Sequence, residues 1–241
     1  MYEPRFYRCW IKSDDLISFT VTVSQTDLYI RTRTNLRDKA LNSVLKHRAS
    51  IEAHIKRYPL FLTTLVPCKI EPGAPRIVNE MARASELAGV GPMAAVAGAI
   101  AEAVGRDLLR LSPEVIVENG GDIFLKTTRK RLVGIYAGDS PFTGKIALEV
   151  APKETPLGIC TSSGKIGHSL SLGSADAVVA ISPRAALADA AATALANLVK
   201  TVEDIPKAME RAQRMEGLYG TVIIVGDKMA VWGKVTLVPL D

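Results

Sequence analysis

Residues 185–198 read AALADAAATALANL, and this stretch decides the fold class. Every position is apolar except Asp189, Thr193 and Asn197, which are spaced four residues apart and therefore line one face of a helix. A helix that is otherwise apolar all round is buried on most of its sides. The pattern predicts a core helix that begins after Ser182, with the Ser182 hydroxyl as N-cap.

The polar stripe on this helix has two interpretations. A carboxylate buried among apolar residues needs a partner, because an unpaired buried charge is very costly. Asp189 and Thr193 offer two oxygen ligands one turn apart, which suits Mg²⁺ bridging to phosphate oxygens. The alternative is a narrow face turned to solvent. The pattern alone does not separate these two.

Outside this helix the chain alternates short β segments with longer helical segments. Strands are predicted at residues 16–23, 27–33, 115–117, 123–125, 132–136, 145–150, 158–161, 176–181, 221–225 and 230–238. Further helices are predicted at residues 36–58, 76–87, 93–111 and 205–215. We expect an α/β (α+β) protein in which mixed or antiparallel sheets pack with long helices around one shared core. Residues 1–241 are predicted to form one domain, with a sub-boundary near residues 67–75.

Composition excludes several classes of function. The formal net charge is +5, but the Lys and Arg residues are scattered, which does not favour nucleic-acid binding. The three cysteines form no CxxC motif and no Cys/His cluster, so neither a disulfide framework nor a zinc site is expected. The most apolar segment, residues 88–101, is too short to span a bilayer, and residues 1–15 do not resemble a signal peptide. We therefore expect a cytoplasmic protein without a membrane partner.

Two further segments could carry chemistry. Residues 118–122 read ENGGD directly after an apolar strand, and paired glycines permit either close approach of a ligand to the main chain or simply a tight turn. Residues 160–169 read CTSSGKIGHS, where hydroxyls, turn N–H groups and Lys165 could form an anion-binding concavity. His168 is a candidate general base and Cys160 a candidate nucleophile. The alternatives are a plain polar loop and a small buried thiol.

Four segments carry a family resemblance. They are GAIAEAV at 98–104, NGGD at 119–122, TSSG at 161–164 and ADAAATAL at 188–195. In this order they resemble the ApbE-like family, whose best-known members are FAD:protein FMN transferases. The chain is especially similar to a compact cytoplasmic branch of that family that carries GVGPMAAVAG at 89–98 and CTSSG at 160–164.

The resemblance implies a fold, ligands and residue roles. It implies an ApbE-like fold that binds FAD, or a related flavin or nucleotide, with Mg²⁺. Asp189 and Thr193 would ligate the metal, and Asp189 would be the catalytic residue. The flavin dinucleotide would be contacted by Asn119, Gly120, Gly121, Asp122, Thr161, Ser162, Ser163 and Gly164.

The chain also departs from the transferase pattern. Residues 166–175 lack the His-Ile-x-Asp-Pro-x-Thr-Gly motif of the transferases, and Glu102 stands where they commonly carry lysine, which puts a negative charge near the expected anion site. We therefore favour a ligand-binding ApbE-like protein. The main alternative is Mg²⁺-dependent cleavage of FAD with FMN transfer to a protein acceptor. A further alternative is a non-catalytic accessory factor, or a sulfur or redox relay that uses Cys160.

Overall fold

The computed structural model describes residue 13, residues 15–164 and residues 173–240. Within them the strands are β1 (Ile17–Val23), β2 (Thr26–Thr32), β3 (Val115–Asn119), β4 (Asp122–Lys126), β5 (Arg131–Gly134), β6 (Ile146–Val150), β7 (Leu157–Ser162), β8 (Ala177–Ser182), β9 (Gly220–Val225), β10 (Lys228–Gly233) and β11 (Leu237–Pro239). The α-helices are α1 (Arg37–Arg57), α2 (Leu60–Thr63), α3 (Arg76–Ala88), α4 (Val96–Leu108), α5 (Ala185–Leu198) and α6 (Ile205–Gln213).

The described strands form two sheets. Eight of them pair in the order β1-β2-β3-β4-β7-β8-β9-β10, and β11, β6 and β5 form a smaller sheet. Every described pairing is antiparallel. Together with the helices, this architecture confirms the predicted class of antiparallel sheets packed with long helices.

The large sheet has a separate apolar core on each face. Because side chains alternate along a strand, Cys160 of β7 points to the helical layer, whereas Ile159 points away from it. The helix-side core includes Leu187 and Leu195 of α5. The opposite core is closed by the small sheet, through residues such as Leu148. The central strands are consequently buried on both faces, which explains why their sequences are apolar runs.

Helix α5 is the central helix of this layer. From Ala185 to Ala196 every residue is buried except Asp189, which is partly buried. The predicted core helix is therefore correct. The predicted N-cap is wrong, because the cap position is Arg184 and Ser182 is the last residue of β8. The Ser182 hydroxyl instead accepts a hydrogen bond from the Arg184 N–H (3.2 Å) and donates one to the carbonyl of Gly217 (3.0 Å).

Two predicted elements are divided in the structure. The helix predicted at 93–111 begins as a 3₁₀ turn, Pro92–Ala95, and is divided from α4 because the backbone of Ala95 leaves helical geometry. Helix α4 then ends at Leu108. The strand predicted at 230–238 is also interrupted. Gly233 adopts a positive φ of 85°, which turns the chain out of β10 and into β11 of the small sheet.

Two further expectations concern domains and membranes. The prediction of one domain with a sub-boundary at 67–75 stays a prediction. In the described ranges no single helix is long and apolar enough to cross a membrane. Only α3 and the helical segment Pro92–Leu108, which are bent by 107° at their junction, reach the required length and composition as a pair.

Candidate functional site

The paired glycines form a two-residue hairpin turn between β3 and β4. Asn119 and Asp122 are partners across the turn, and φ is 68° at Gly120 and 103° at Gly121. Positive φ at both central positions is typical of a type I′ hairpin, which favours glycine. A Cβ atom on Gly121 would meet only the carbonyl oxygen of Thr161, at 3.9 Å. Backbone conformation, rather than crowding, therefore requires glycine at position 121.

Side chains on either side of the glycines fix this turn. The Glu118 carboxylate accepts a hydrogen bond from the Gly121 N–H (2.9 Å). The Asn119 amide donates to the carbonyl of Ala97 (3.1 Å), in the first turn of helix α4. The turn is thus tied to the beginning of α4. Its geometry matches the tight-turn interpretation, and contact with a flavin stays a prediction.

The carboxylate of Asp189 lies at the amino-terminal end of the same helix. It accepts a hydrogen bond from the Gly98 N–H at 2.8 Å. This contact requires a close approach of α5 to α4, because a Cβ atom on Gly98 would lie 2.3 Å from the carbonyl oxygen of Ala185. The first N–H groups of a helix lack intrahelical partners and carry a partial positive charge. Asp189 is therefore held by main-chain dipoles, and the solvent-facing interpretation does not describe its carboxylate.

Asp122 and Cys160 lie in the same cluster. Asp122 is buried, and the neighbouring Cys160 thiol and Thr161 N–H act to lower the pKa of its carboxyl group. Burial, followed by the negative charges of Asp189 and Glu118, raises the pKa of Asp122 well above its ordinary value. The structure therefore brings together the carboxylates of two sequence-predicted site residues, one on a hairpin and one on a core helix.

The cluster is electrostatically unusual because its charges have one sign. Burial of the carboxylate raises the pKa of Asp189 to about 7, and the N–H groups of Gly98 and Ala97 offset this only in part. In the part of the chain that the structure describes, no Lys or Arg forms an ion pair with Asp122 or Asp189. Perturbed carboxylates of this kind are concentrated at functional sites.

The environment of Cys160 disfavours a reactive thiolate. Its side chain is fully buried, and its sulfur lies 3.4 Å from the carbonyl oxygen of Ala185. Burial raises the pKa of Cys160 well above its ordinary value, and the charges of Asp122 and Asp189 raise it further. Nucleophilic or redox-active cysteines need the opposite shift. Cys160 is better explained as a buried thiol that donates to the carbonyl of Ala185 than as a relay.

The residues of the Thr-Ser-Ser-Gly segment differ in availability. Ser162, at the end of β7, is buried, and its hydroxyl has no hydrogen-bond partner, unlike every other buried side-chain nitrogen or oxygen in the described residues. Ser162 and Cys160 are two residues apart on one strand and therefore share the helix-facing side. An unsatisfied buried hydroxyl is unfavourable in a ligand-free protein and requires an explanation.

The rest of this segment is engaged with the protein itself. The Ser163 hydroxyl (3.4 Å) and the Gly164 N–H (3.0 Å) both donate to the carbonyl of Ala175. A Cβ atom on Gly164 would lie 1.9 Å from the carbonyl oxygen of Gly173, so this glycine is required for packing. The flavin contacts of Ser163 and Gly164 stay predictions. Lys165 and His168 lie outside the described residues.

Glu102 is engaged by groups of the protein itself. The expectation placed its negative charge near a bound anion. In the structure its carboxylate accepts a hydrogen bond from the Ala185 N–H (2.7 Å) and pairs with Arg106 (2.7 Å). Glu102 therefore caps the amino-terminal end of α5, and its charge is neutralised there.

The cluster fits a Mg²⁺ ion in its donor chemistry. Among the residues described, no group of three or more His, Cys, Asp or Glu side chains could hold a metal by itself. Mg²⁺ is commonly bound by one or two carboxylates, with waters and ligand phosphates completing its shell. Asp189, Asp122 and the Ser162 hydroxyl offer such oxygens. Thr193 is buried one turn beyond Asp189, and its role as a ligand stays a prediction.

The fold places the protein in a structural class. It is similar to the apo crystal structure of the flavinyl transferase ApbE of Pseudomonas stutzeri, with a TM-score of 0.61 and 14% identity over 90% of this chain and 94% of that one. It is also similar to the ApbE protein of Thermotoga maritima, with a TM-score of 0.56 and 12% identity over 90% and 96% of the two chains. The fold is therefore that of ApbE proteins.

Sequence comparison gives the family. The family model described as "AbpE bacteria" matches residues 8–231, and the chain belongs to this ApbE-like family. A UPF0280 protein of Methanococcus aeolicus is 42% identical over 201 residues, which are 81% of each chain. A UPF0280 protein of Methanopyrus kandleri is 41% identical over 226 residues, or 91% of each chain. The predicted family resemblance is confirmed.

Proposed function

We propose that this protein binds FAD together with Mg²⁺ at the cluster of Asp122, Asp189 and Ser162. The observation that carries the proposal is the presence of two neighbouring carboxylates of raised pKa without a basic partner in the described residues. A divalent cation would supply the missing positive charge. The unpartnered Ser162 hydroxyl would then gain a ligand oxygen or a metal-bound water as partner.

The roles of the protein groups follow from their positions. Asp189 is oriented by the Gly98 N–H, so one carboxylate oxygen is committed to the protein and the other can face a cation. Mg²⁺, when bound, would offset charge on the pyrophosphate of the dinucleotide. The 119–122 hairpin would position main-chain groups beside the ligand. The similarity of the fold to that of the flavinyl transferase ApbE of Pseudomonas stutzeri supports flavin as the ligand class.

Ligand-dependent stability tests the binding function. FAD and Mg²⁺ together should raise the unfolding free energy by about 2.7 kcal/mol when free ligand is 100 times its Kd. Asp189→Asn should remove the Mg²⁺-dependent part of this gain. Asp227→Asn is the matched control, because the Asp227 carboxylate is exposed and distant in sequence, at the β9–β10 turn. Absence of any gain with wild-type protein, at millimolar FAD and Mg²⁺, would refute the proposal.

A second candidate function is cleavage of FAD at its pyrophosphate. Hydrolysis would give FMN and AMP, and transfer would give AMP and FMN attached to a threonine of a protein acceptor. The descriptions of the neighbours favour this candidate. Chromatographic detection of AMP tests it: release by wild type and the Asp227→Asn control, but not by Asp189→Asn, supports an enzyme. Unchanged FAD at saturating, binding-competent protein limits the function to binding.

A further inference from the structure

A cavity lies on the opposite face of the large sheet from the Asp122–Asp189 cluster. It has a volume of about 580 Å³, is partly open to solvent, and lies between the large and small sheets. Its floor includes Leu157, Ile159 and Ile181, whose side chains belong to the core on the side away from the helices. Strand β7 connects the two places, since it begins at this cavity and ends at Ser162.

The lining of this cavity contains two lysines and two glutamates, and one of the glutamates is neutralised by Lys130, which does not line the cavity. Lys153 and Lys234 line it and are exposed, and neither forms an ion pair with a carboxylate in the described ranges. Two carboxylates also line it, but both are engaged. Glu149 pairs with Lys130 at 3.0 Å, and Glu154 accepts the Ala151 N–H.

The cavity also offers an aromatic surface. Tyr219 lines it, and the Lys234 ammonium lies 4.7 Å from the centre of the Tyr219 ring. This cation–π contact holds the Lys234 ammonium beside the apolar face of the Tyr219 ring. An apolar floor with a few convergent polar groups, within this range of volume, is typical of small-molecule sites.

We propose that this cavity is a second binding site, for a small anion with an apolar or aromatic body, such as an aromatic carboxylate or sulfonate. The body would cover Ile159 and Ile181 on the floor, and the anionic group would lie between Lys153 and Lys234. This inference is independent of the flavin proposal, because it uses other residues on the other face of the sheet.

The probe for the test is 8-anilinonaphthalene-1-sulfonate, whose fluorescence rises when it enters an apolar site. Wild-type protein should bind it saturably. Lys153→Glu/Lys234→Glu should weaken binding by about tenfold or more, since a bond to a charged group contributes about 1.5–3 kcal/mol. Lys200→Glu/Lys228→Glu is the matched control, with two lysines that do not line the cavity, and should bind like wild type.

A second variant tests whether the probe binds in this cavity, because it fills part of the cavity with a larger side chain. Val235→Trp places a large ring where Val235 lines the cavity and should abolish binding. Both lysines of the charge variant are exposed, so that variant keeps the test decisive if Val235→Trp fails to fold. Equal affinity of wild type and the Lys153→Glu/Lys234→Glu variant overturns the proposal. Displacement of the probe by FAD and Mg²⁺ also overturns it, because the fluorescence would then come from the flavin site.

Discussion

Two buried carboxylate clusters in this protein are built in opposite ways. Glu114 is fully buried, and Arg131 (2.6 Å), Arg33 (2.7 Å) and the hydroxyls of Thr127 and Thr128 all donate to it. Although burial acts to raise it, these donors hold the pKa of Glu114 down at about 2. In the Asp122–Asp189 cluster burial prevails, and the pKa values are raised.

The difference separates a structural cluster from a binding cluster. The Glu114 cluster contains its own cations and is complete in the folded chain. The Asp122–Asp189 cluster has a main-chain donor to Asp189 but no basic partner in the described residues, and we propose that a ligand from outside stabilises it. Removing a donor to Glu114 should therefore lower the free energy of unfolding. Removing a negative charge from the Asp122–Asp189 cluster of the ligand-free protein should raise it.

The largest expected effect is the loss of Arg131. Arg131→Met leaves Glu114 buried with a weaker set of donors, and we expect a loss of about 3–5 kcal/mol in unfolding free energy at pH 7. Urea unfolding measures it. Arg129→Met is the control, because the Arg129 side chain is 63% exposed, and it should change stability by less than about 0.5 kcal/mol. Similar values for both variants would contradict a structural role for the Glu114 cluster.

The second effect is acid sensitivity at Glu114. In the folded protein the pKa of Glu114 is about 2, which lies below the ordinary value of 4.5. The ionised carboxylate therefore adds to the free energy of unfolding above pH 4.5, and this gain is lost as pH falls through about 2. The wild type should lose roughly 3 kcal/mol from this group over that window. Glu114→Gln should lack this component. Unfolding curves of the two proteins that stay parallel from pH 5 to pH 2 would contradict the assignment.

The third effect has the opposite sign and occurs at higher pH. In the folded protein the pKa of Asp189 is raised from 3.8 to about 7. Its protonated carboxyl group therefore adds to the free energy of unfolding, and this gain is fully present below pH 3.8 and is lost as pH rises through 7. In EDTA, the unfolding free energy of wild type should fall by about 2 kcal/mol relative to that of Asp189→Asn between pH 4.5 and 8. Partial exposure of Asp189 to solvent keeps this loss below the value for a fully buried group. At pH 8, Mg²⁺ should stabilise wild type alone. A difference in unfolding free energy between wild type and Asp189→Asn that does not change with pH would contradict the raised pKa of Asp189.

The smallest effect compares two buried serines. Ser182 donates to Gly217 and accepts from Arg184, so Ser182→Ala should cost about 1–2 kcal/mol. Ser162 has no partner, so Ser162→Ala should leave the ligand-free protein within about 0.5 kcal/mol of wild type and weaken FAD binding. Thermal unfolding with and without FAD and Mg²⁺ measures both. A large loss for Ser162→Ala without ligand would show that its hydroxyl is structural.

The sequence predicted most of the fold because its strongest signals are local. The apolar residues 177–181 predict a strand, and the three polar positions of α5 predict a core helix from their helical spacing. Boundaries set by single backbone angles, at Ala95 and Gly233, were missed, because the sequence does not reveal which residue leaves regular geometry.

The residues of the candidate site could be named from the sequence, but the raised pKa values of its carboxylates could not be predicted. Asp122 and Asp189 were both named from sequence. The contact between Asp122 and Cys160 depends on the pairing of β4 with β7, where Ile123 lies opposite Ile159. Alternation along β7 likewise places Ser162 on the helix side and Thr161 on the other, so adjacent residues of one motif cannot both direct their side chains to one ligand.

Gly98 has a consequence for engineering. Its missing side chain sets the spacing between α4 and α5, and this spacing determines whether the oxygen atoms of Asp189 reach the main chain of α4. The distance between an acidic group and its anchor can thus be adjusted at a residue that carries no charge and needs no ligand contact. A designer who wished to change the affinity of the proposed cation site could widen this helix crossing and leave every oxygen atom of the site chemically unchanged.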